Sequence, residues 1–303
     1  MDQAMQSIPL AKKKPAKNWL LAYLYLSPAL LVILAVFVYP VIDLVYRSMT
    51  QVSDGVIQWT GLQAYQAALT DPVFWTSLSN NLRLMLAVPI LVALSLIFSS
   101  LIFERIRGWR IYRMIAFIPY VLAIPVVGIV FSYILQLNGV LNISLRWLGL
   151  SAITTDWLGT TRTAIWAIML VVVWKELGFG ILLFLARMSS ISEDLFDAAK
   201  LDGANWFTML WNVAIPQMAT VIEFYVIVNI ITMLSWLFSY ILVMTKGGPG
   251  TSTWVMEYFI YQKAFPYSQM QIASAGAILL LVFASIFMFL QARSRRRLEA
   301  LNG

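Results

Sequence analysis

The chain has 303 residues, a length that in a soluble protein would predict about two domains. Its composition excludes that interpretation, because 61% of the residues are hydrophobic and only 12% are charged, against about 25% charged residues in ordinary soluble domains. The mean hydropathy of +0.80 indicates a multi-pass membrane protein, in which the net charge of +7 reports on topology.

The residues that the chain lacks exclude several kinds of chemistry. The sequence contains neither cysteine nor histidine. Disulfides, thiolate nucleophiles, imidazole bases and Cys/His metal sites are therefore excluded. An intramembrane enzyme without these residues would need paired aspartates inside its hydrophobic segments, and the sequence has no such pair. We therefore predict that the chain is not an enzyme and that it carries no metal or cofactor of its own.

Six windows are long and apolar enough to cross a membrane as helices, which requires about 20 residues each. Their uniform apolar character favours helices over barrel strands, which would alternate. The predicted fold is therefore an all-α membrane protein with six transmembrane helices. Prolines in or beside the windows predict kinks: these are Pro28, Pro40, Pro89, Pro119 and Pro125. The windows, numbered span one to span six, are Leu20–Tyr39, Leu84–Phe103, Met114–Leu137, Ala164–Ala186, Val221–Thr245 and Ile272–Leu290.

Lysine and arginine residues predict the orientation, because cytoplasmic loops carry an excess of them. The richer side receives Lys12, Lys13, Lys14, Lys17, Arg105, Arg107, Arg110, Arg113, Arg187, Lys200, Arg293, Arg295, Arg296 and Arg297. The other side receives Arg47, Arg83, Arg146, Arg162, Lys246 and Lys263. Both termini are therefore predicted to be cytoplasmic. The predicted organisation is a basic N-terminus (1–18), a transmembrane domain (19–291) and a basic C-terminus (292–303). Membrane lipid is expected around it, and no nucleic-acid partner.

Ionisable residues inside spans usually face the protein interior or a water-filled cavity, because their insertion into lipid is costly. Lys175 and Glu176 lie midway along span four. As consecutive residues they point about 100° apart, so we expect that they do not pair with each other. Both are candidates for a solute path, as is Glu223 near the start of span five, which the interface can also accommodate. The alternative is a pair between helices that holds the bundle together.

Span five also carries polar and aromatic side chains that suit a solute with many hydroxyl groups. Asn229 and Trp236 are spaced to share one helix face with Thr232 or Met233. Aromatic rings combine apolar area with a polar handle, and amides bond hydroxyls. Asn229 and Trp236 are therefore further candidates for the solute path. Helix packing is the alternative, because small and polar residues also join membrane helices.

The segment 190–216, between spans four and five, predicts two short cytoplasmic helices. Glu193 and Asp194 follow Ser190 and Ser192, serines that can cap the first helix, and acids are favoured in a first turn. Gly203 is placed to end that helix, and Asn205 to cap the second. An amphipathic loop lying along the membrane is the alternative.

This segment resembles a known motif. Asp197-Ala198-Ala199, Gly203, and then Val213, Ile215 and Pro216 follow the spacing of the "EAA" motif in membrane subunits of binding-protein-dependent ABC importers. The chain departs from that motif by having Asp for Glu, Val for Ile and Ile for Leu. The resemblance implies a coupling helix in which Asp197, Ala198, Ala199, Gly203 and Pro216 serve contact with a cytoplasmic ATPase.

Other stretches are similar to the carbohydrate-type permeases of the same family. They are Gly61-Leu62 with Tyr65, Asp71-Pro72, Phe74-Trp75 and Asn80; Pro119, Gly139, Asn142, Gly149 and Trp157-Leu158; and Gly247-Gly248-Pro249 with Thr253, Tyr261 and Ala264-Phe265. Asn81 stands where the family often has Thr, a departure expected to have little consequence.

The resemblance implies one permease subunit of a sugar or oligosaccharide importer in a bacterial or archaeal plasma (inner) membrane, where it forms half of the translocation pore. It also implies three partners: a second permease subunit, a cytoplasmic ATPase dimer and an extracytoplasmic solute-binding protein. The chain has no Gly-x-x-x-x-Gly-Lys-Ser/Thr loop, so ATP is expected on the separate ATPase. The alternatives are a glycerol-phosphate permease of the same type and a stand-alone secondary transporter.

Overall fold

A computed structural model of the chain describes residues 18–53, 55–104 and 106–302. The predicted basic segment 1–18 lies outside these residues except for Asn18. Within the described part, the strands form a single antiparallel hairpin of β1 (Thr50–Ser53) and β2 (Val56–Trp59), in which Thr50 lies opposite Trp59.

The rest of the regular structure is helical. The first helices are α1 (Asn18–Ile33), α2 (Tyr39–Ser48), α3 (Gln63–Thr70), α4 (Pro72–Met85), α5 (Ala87–Phe103), α6 (Trp109–Val121), α7 (Ile124–Ile134) and α8 (Val140–Trp147). The remaining helices are α9 (Ala164–Met188), α10 (Glu193–Leu201), α11 (Trp206–Met209), α12 (Ile215–Ser235), α13 (Phe238–Met244), α14 (Met256–Ala264) and α15 (Met270–Asn302). A short 3-10 turn covers Ser151–Ile153.

The structure confirms a helical membrane protein with five or six candidate spans. Among the described residues, five helical segments are long and apolar enough to cross a membrane: Tyr23–Ser48, Pro72–Phe103, Ala164–Met188, Trp206–Ser235 and Met270–Phe289. The pair α6 and α7 supplies a sixth candidate if it counts as one span. Most of these segments extend beyond the predicted windows, because the helices continue into polar flanks.

Span three is broken within the predicted window Met114–Leu137, where its prolines predict a kink. The helices α6 and α7 meet at an angle of 101°. Leu122 and Ala123 between them have extended backbone, with ψ of 139° and 137°. Pro125 follows in the first turn of α7, where its missing N–H is tolerated but where it disfavours continuation of a helix from the N-terminal side. The kink predicted from this proline is therefore a full break.

Two other prolines widen a helix instead of breaking it. Leu34–Val38 and Leu210–Ala214 are π-helical, and Pro40 and Pro216 are the second residues of the α-helices that follow them. A proline ring clashes with the carbonyl four residues earlier and cannot bond to it, so the preceding turn gains an extra residue. The chain therefore passes through both prolines without a loop.

The helices α6 and α9 approach each other closely because a glycine lies between them. A side chain added at Gly178 would meet Ala116 O of α6. The backbones of the two helices are therefore in direct contact at this level. One turn earlier on α9, Lys175 faces the broken end of α6.

The core lies where α9 packs against α5, α6 and α12. Phe184, Tyr225 and Met233 are fully buried there. Span one contributes little to this core, because its most hydrophobic window is 0% buried within the chain.

Candidate functional site

The first helix of the segment 190–216 is a short surface helix held by one aromatic side chain. Phe196 of α10 is buried and its ring lies 5.2 Å from the ring of Phe103 at the end of α5. On the outer side Asp197 forms an exposed ion pair with Lys200, with 3.4 Å between Oδ1 and Nζ. Leu201 is 89% exposed. The helix therefore presents a polar and apolar surface that its own chain does not cover.

The predicted end of this helix is confirmed at Gly203. Its φ is +80°, a left-handed conformation that glycine adopts without strain. The N–H of Gly203 donates to Lys200 O over 3.0 Å, and the N–H of Ala204 donates to Ala199 O over 2.9 Å. These two bonds are those of a Schellman motif, which satisfies the last carbonyls of a helix. Of the small residues in the motif, Ala198 is exposed and Ala199 is half-buried.

The second helix is confirmed at its start and wrong at its end. The side chain of Asn205 accepts from Thr208 N over 2.9 Å, as a helix cap does. The helix that begins there is not a separate short element, because α11 continues through the π-helical turn into α12 and forms one segment, Trp206–Ser235. Pro216 is exposed near the start of α12. Only the turn at Gly203 therefore separates α10 from the helical segment that contains the first part of span five.

An arginine joins the two ends of this segment. The guanidinium of Arg187, near the end of α9, donates to Gln217 O at 2.8 and 3.2 Å and to Ser190 Oγ at 2.8 Å. Spans four and five are thus connected where the segment leaves one and enters the other.

Inside span four, the expectation that Lys175 and Glu176 do not pair is wrong. Their Nζ and Oε1 atoms are 3.2 Å apart, because the long lysine side chain reaches around the helix. Lys175 is 6% exposed and its Nζ also donates to Tyr120 O over 3.3 Å. That carbonyl belongs to the last turn of α6, where the break in span three leaves it without a helical partner. The ammonium therefore pairs with a carboxylate of its own helix and bonds to the end of a broken helix, so the contact between helices is to a backbone carbonyl and not to a second ionised side chain.

The candidates on span five do not share one face. Asn229 is 2% exposed and donates to Tyr225 O within its own helix over 2.8 Å. Trp236 is 62% exposed, because α12 ends at Ser235 and the helical spacing no longer applies. Glu223 is half-buried near the start of the span. The geometry leaves Trp236 as the accessible member of this group.

Several side-chain hydrogen bonds hold the loop after span five. The hydroxyl oxygens of Thr245 and Thr253 are 2.8 Å apart, and Thr253 donates to Gly248 O over 2.9 Å. Tyr258 donates to Lys246 O over 2.8 Å. The Gly-Gly-Pro stretch before α14 is therefore held by side-chain hydrogen bonds, with Gly247 buried and Gly248 and Pro249 half-buried.

Sequence reasoning missed Asn81, whose departure from the family pattern was expected to have little consequence. The residue is fully buried in α4. Its Nδ2 donates to Met233 O over 2.9 Å, and its Oδ1 accepts from Met256 N over 2.8 Å. A threonine is too short to make both contacts. The expectation is wrong, because this side chain joins three distant elements.

Glu257 lies beside Asn81. It belongs to α14, the short helix in the connection between spans five and six. Its Oε1 accepts from Leu237 N over 3.3 Å, and its Oε2 is 3.5 Å from Asn81 Nδ2. Burial raises the pKa of the Glu257 carboxyl to about 7, although its hydrogen bonds partly oppose the shift. The sequence alone did not indicate this residue.

Comparison with known proteins identifies the family. Residues 82–300 match the family model described as "Binding-protein-dependent transport system inner membrane component". The chain belongs to this family. The permease is 30% identical to the probable ABC transporter permease protein YurN of Bacillus subtilis, over 91% of this chain and 96% of that protein. The suspected resemblance is thereby confirmed, and the chain is a transport protein of the inner membrane and not an enzyme.

Two further comparisons concern a permease with a named solute and a solved transporter structure. It is 26% identical to the probable starch degradation products transport system permease protein AmyD of Thermoanaerobacterium thermosulfurigenes, over 96% of this chain and 99% of that protein. Its fold matches a chain of a bacterial alginate ABC transporter crystallised with an alginate pentasaccharide-bound periplasmic protein, with a TM-score of 0.80 at 23% identity, over 93% of this chain and 95% of that chain.

Proposed function

We propose that the permease is one membrane subunit of an ATP-driven importer for a sugar or oligosaccharide. It spans the plasma membrane of a bacterium or archaeon six times, with both termini in the cytoplasm, and forms half of the translocation pore with a second permease subunit. Similarity to a permease named for starch degradation products supports the solute class. The alginate importer crystallised with its periplasmic protein supports an extracytoplasmic solute-binding partner.

The observation that carries the coupling role is the geometry of α10. One face is anchored by Phe196 while Asp197, Ala198 and Leu201 lie on the exposed surface. Closure of a cytoplasmic ATPase dimer on this helix would move it as a unit, since the Schellman turn fixes its end. The continuous segment Trp206–Ser235 would carry that motion into span five. The proposed contact residues are Asp197, Ala198, Ala199, Gly203 and Pro216.

For the solute path we propose Trp236, the accessible aromatic residue where span five breaks. Glu176, Glu223, Asn229 and Lys175 then act by shaping the path from within the bundle. The glycerol-phosphate alternative is not favoured, because the ammonium of Lys175 is already bonded to Glu176 and to Tyr120 O. A stand-alone secondary transporter is not favoured, because the family is one of binding-protein-dependent transport components.

Replacement of Leu201 by glutamate tests the ATPase contact. Leu201 is 89% exposed, so the change leaves the packing of the chain intact but places a charge on the docking surface. Such a charge in an apolar contact costs on the order of 2 kcal/mol, which corresponds to a loss of about tenfold or more in affinity. We expect purified permease carrying Leu201→Glu to lose the ATPase chain that copurifies with the wild type.

The matched control is Leu148→Glu in the loop after α8, where the leucine is 74% exposed. This variant should retain the ATPase. Equal recovery of the ATPase with both variants would contradict the docking role of α10.

A further inference from the structure

The helical backbone hydrogen bonds are interrupted where span five breaks, and the bond from Leu237 to Met233 is among those that are missing. In a continuous helix the N–H of Leu237 would donate to the carbonyl of Met233. Instead the helical bonding of α12 ends with Trp236 N donating to Thr232 O, and Trp236 has a φ of −126°. The N–H of Leu237 donates to Glu257 Oε1 over 3.3 Å, and the carbonyl of Met233 accepts from Asn81 Nδ2 over 2.9 Å. Two side chains have therefore taken over the two halves of the missing bond.

These two side chains form a single unit. Asn81 Nδ2 and Glu257 Oε2 are 3.5 Å apart, and Asn81 Oδ1 accepts from Met256 N, the residue before Glu257. Asn81 is 0% exposed, so water does not replace it. The chain Met233–Asn81–Glu257–Leu237 thus spans the break through α4 and α14. An unpaired backbone group in this apolar setting is strongly unfavourable, so the break depends on both side chains.

We propose that Asn81 and Glu257 are positioning residues for transport: by replacing the hydrogen bond from Leu237 to Met233 they hold span five broken beside Trp236. The half-helix beyond the break, α13, packs against α7, the half-helix beyond the break in span three. A change in the direction of α13 would therefore also act on α7 through this contact. Discontinuous helices build solute sites in many transporters, since their free ends and exposed side chains line a cavity.

The same geometry defines a competing arrangement. If the side chains are withdrawn, Leu237 N and Met233 O both lose their partners, and bonding to each other in a helical turn becomes the competing arrangement. Both α13 and the exposed side chain of Trp236 would then change direction. The side chains of Asn81 and Glu257 thus set the balance between a broken and a continuous span five.

Spin-label distances across the break test the proposal. The chain contains no cysteine, so Phe224→Cys on α12 and Leu242→Cys on α13 supply its only labelling sites. Both positions are exposed, at 50% and 36%. Pulsed electron paramagnetic resonance measures the distance between the two labels, and the distribution in the otherwise unmodified chain is the reference for the variants. Glu257→Gln keeps an oxygen acceptor for Leu237 N and should leave that distribution unchanged.

The apolar variants Glu257→Leu and Asn81→Leu remove one half of the replacement each, and both should shift the distribution. The double variant should shift it no further than either single one, because both serve one bond. Thr232→Val removes a side-chain bond to Val228 O in the same helix and should have no effect. Distributions in both leucine variants equal to the unmodified one would overturn the proposal. So would a shift in Glu257→Gln as large as in Glu257→Leu.

A second measurement links the break to transport and rests on the proposed function. ATP hydrolysis by the complex of permease and copurified ATPase should fall about tenfold in the leucine variants and change little in Glu257→Gln. Shifted distances with unchanged hydrolysis would overturn the positioning role. A complex without any ATP hydrolysis in the unmodified chain would instead contradict the proposed function and leave the distance result standing.

Discussion

Replacement of Lys175 by methionine is expected to destabilise the permease by about 3–5 kcal/mol, the usual cost of removing one partner of a buried ion pair. Methionine fills a similar volume but leaves the Glu176 carboxylate without its cation and Tyr120 O without its donor. The free energy of unfolding in mixed detergent micelles, titrated with sodium dodecyl sulfate, measures the effect. The double variant Lys175→Met with Glu176→Gln should recover most of the loss, because no uncompensated charge remains.

The matched control is the same substitution in an exposed pair. Lys200→Met removes the partner of Asp197, and the two side chains are 56% and 68% exposed. Exposed pairs contribute about 0–1 kcal/mol, so this variant should unfold almost as the wild type does. A loss of stability in Lys175→Met no larger than in Lys200→Met would contradict the role assigned to the buried pair.

Replacement of Gly203 by valine is expected to lower the ATP hydrolysis that accompanies transport by about tenfold, with the protein still inserted in the membrane. The φ of +80° is unfavourable for a β-branched residue by about 1–3 kcal/mol, so the turn that ends α10 would open. No atom lies within 4 Å of an added Cβ, so the effect comes from the backbone and not from a clash. Hydrolysis by the complex in lipid nanodiscs measures the change.

Gly203→Asn separates geometry from residue identity. Asparagine tolerates the left-handed region far better than valine, so this variant should retain most of the activity. If valine and asparagine reduce hydrolysis equally, the Schellman turn does not transmit the coupling. Wild-type hydrolysis in Gly203→Val would contradict the coupling role of the segment itself.

The sequence predicts the elements whose cause is local. Apolar length locates the candidate spans, and Gly203 and Asn205 mark helix ends because glycine and asparagine act within one turn. Pro125 predicts a kink, but the size of the kink depends on which donors and acceptors satisfy the backbone groups that a break exposes. One of these donors is Lys175, which reaches Tyr120 O from another helix. The difference between a kink and a break of 101° is therefore a tertiary effect.

The candidate site is predictable to a smaller extent for the same reason. The resemblance to the motif implies contact residues at Asp197 and Gly203, and both are exposed in the structure. The helical period fails at Trp236, because the helix ends one residue earlier. Asn81 and Glu257 are far apart in the sequence, and their bonds to the backbone of span five leave no periodic signal. Contacts of this kind arise only when the chain is folded.

The most direct test is uptake of labelled oligosaccharides into proteoliposomes that contain the permease with its copurified partners. The proposed function predicts uptake only when ATP is inside the vesicles, on the side that carries the ATPase, and the solute-binding protein is outside. It also predicts that Leu201→Glu strongly lowers this uptake, because the ATPase binds about tenfold or more weakly. Uptake without ATP, driven by an ion gradient across the membrane, would contradict it.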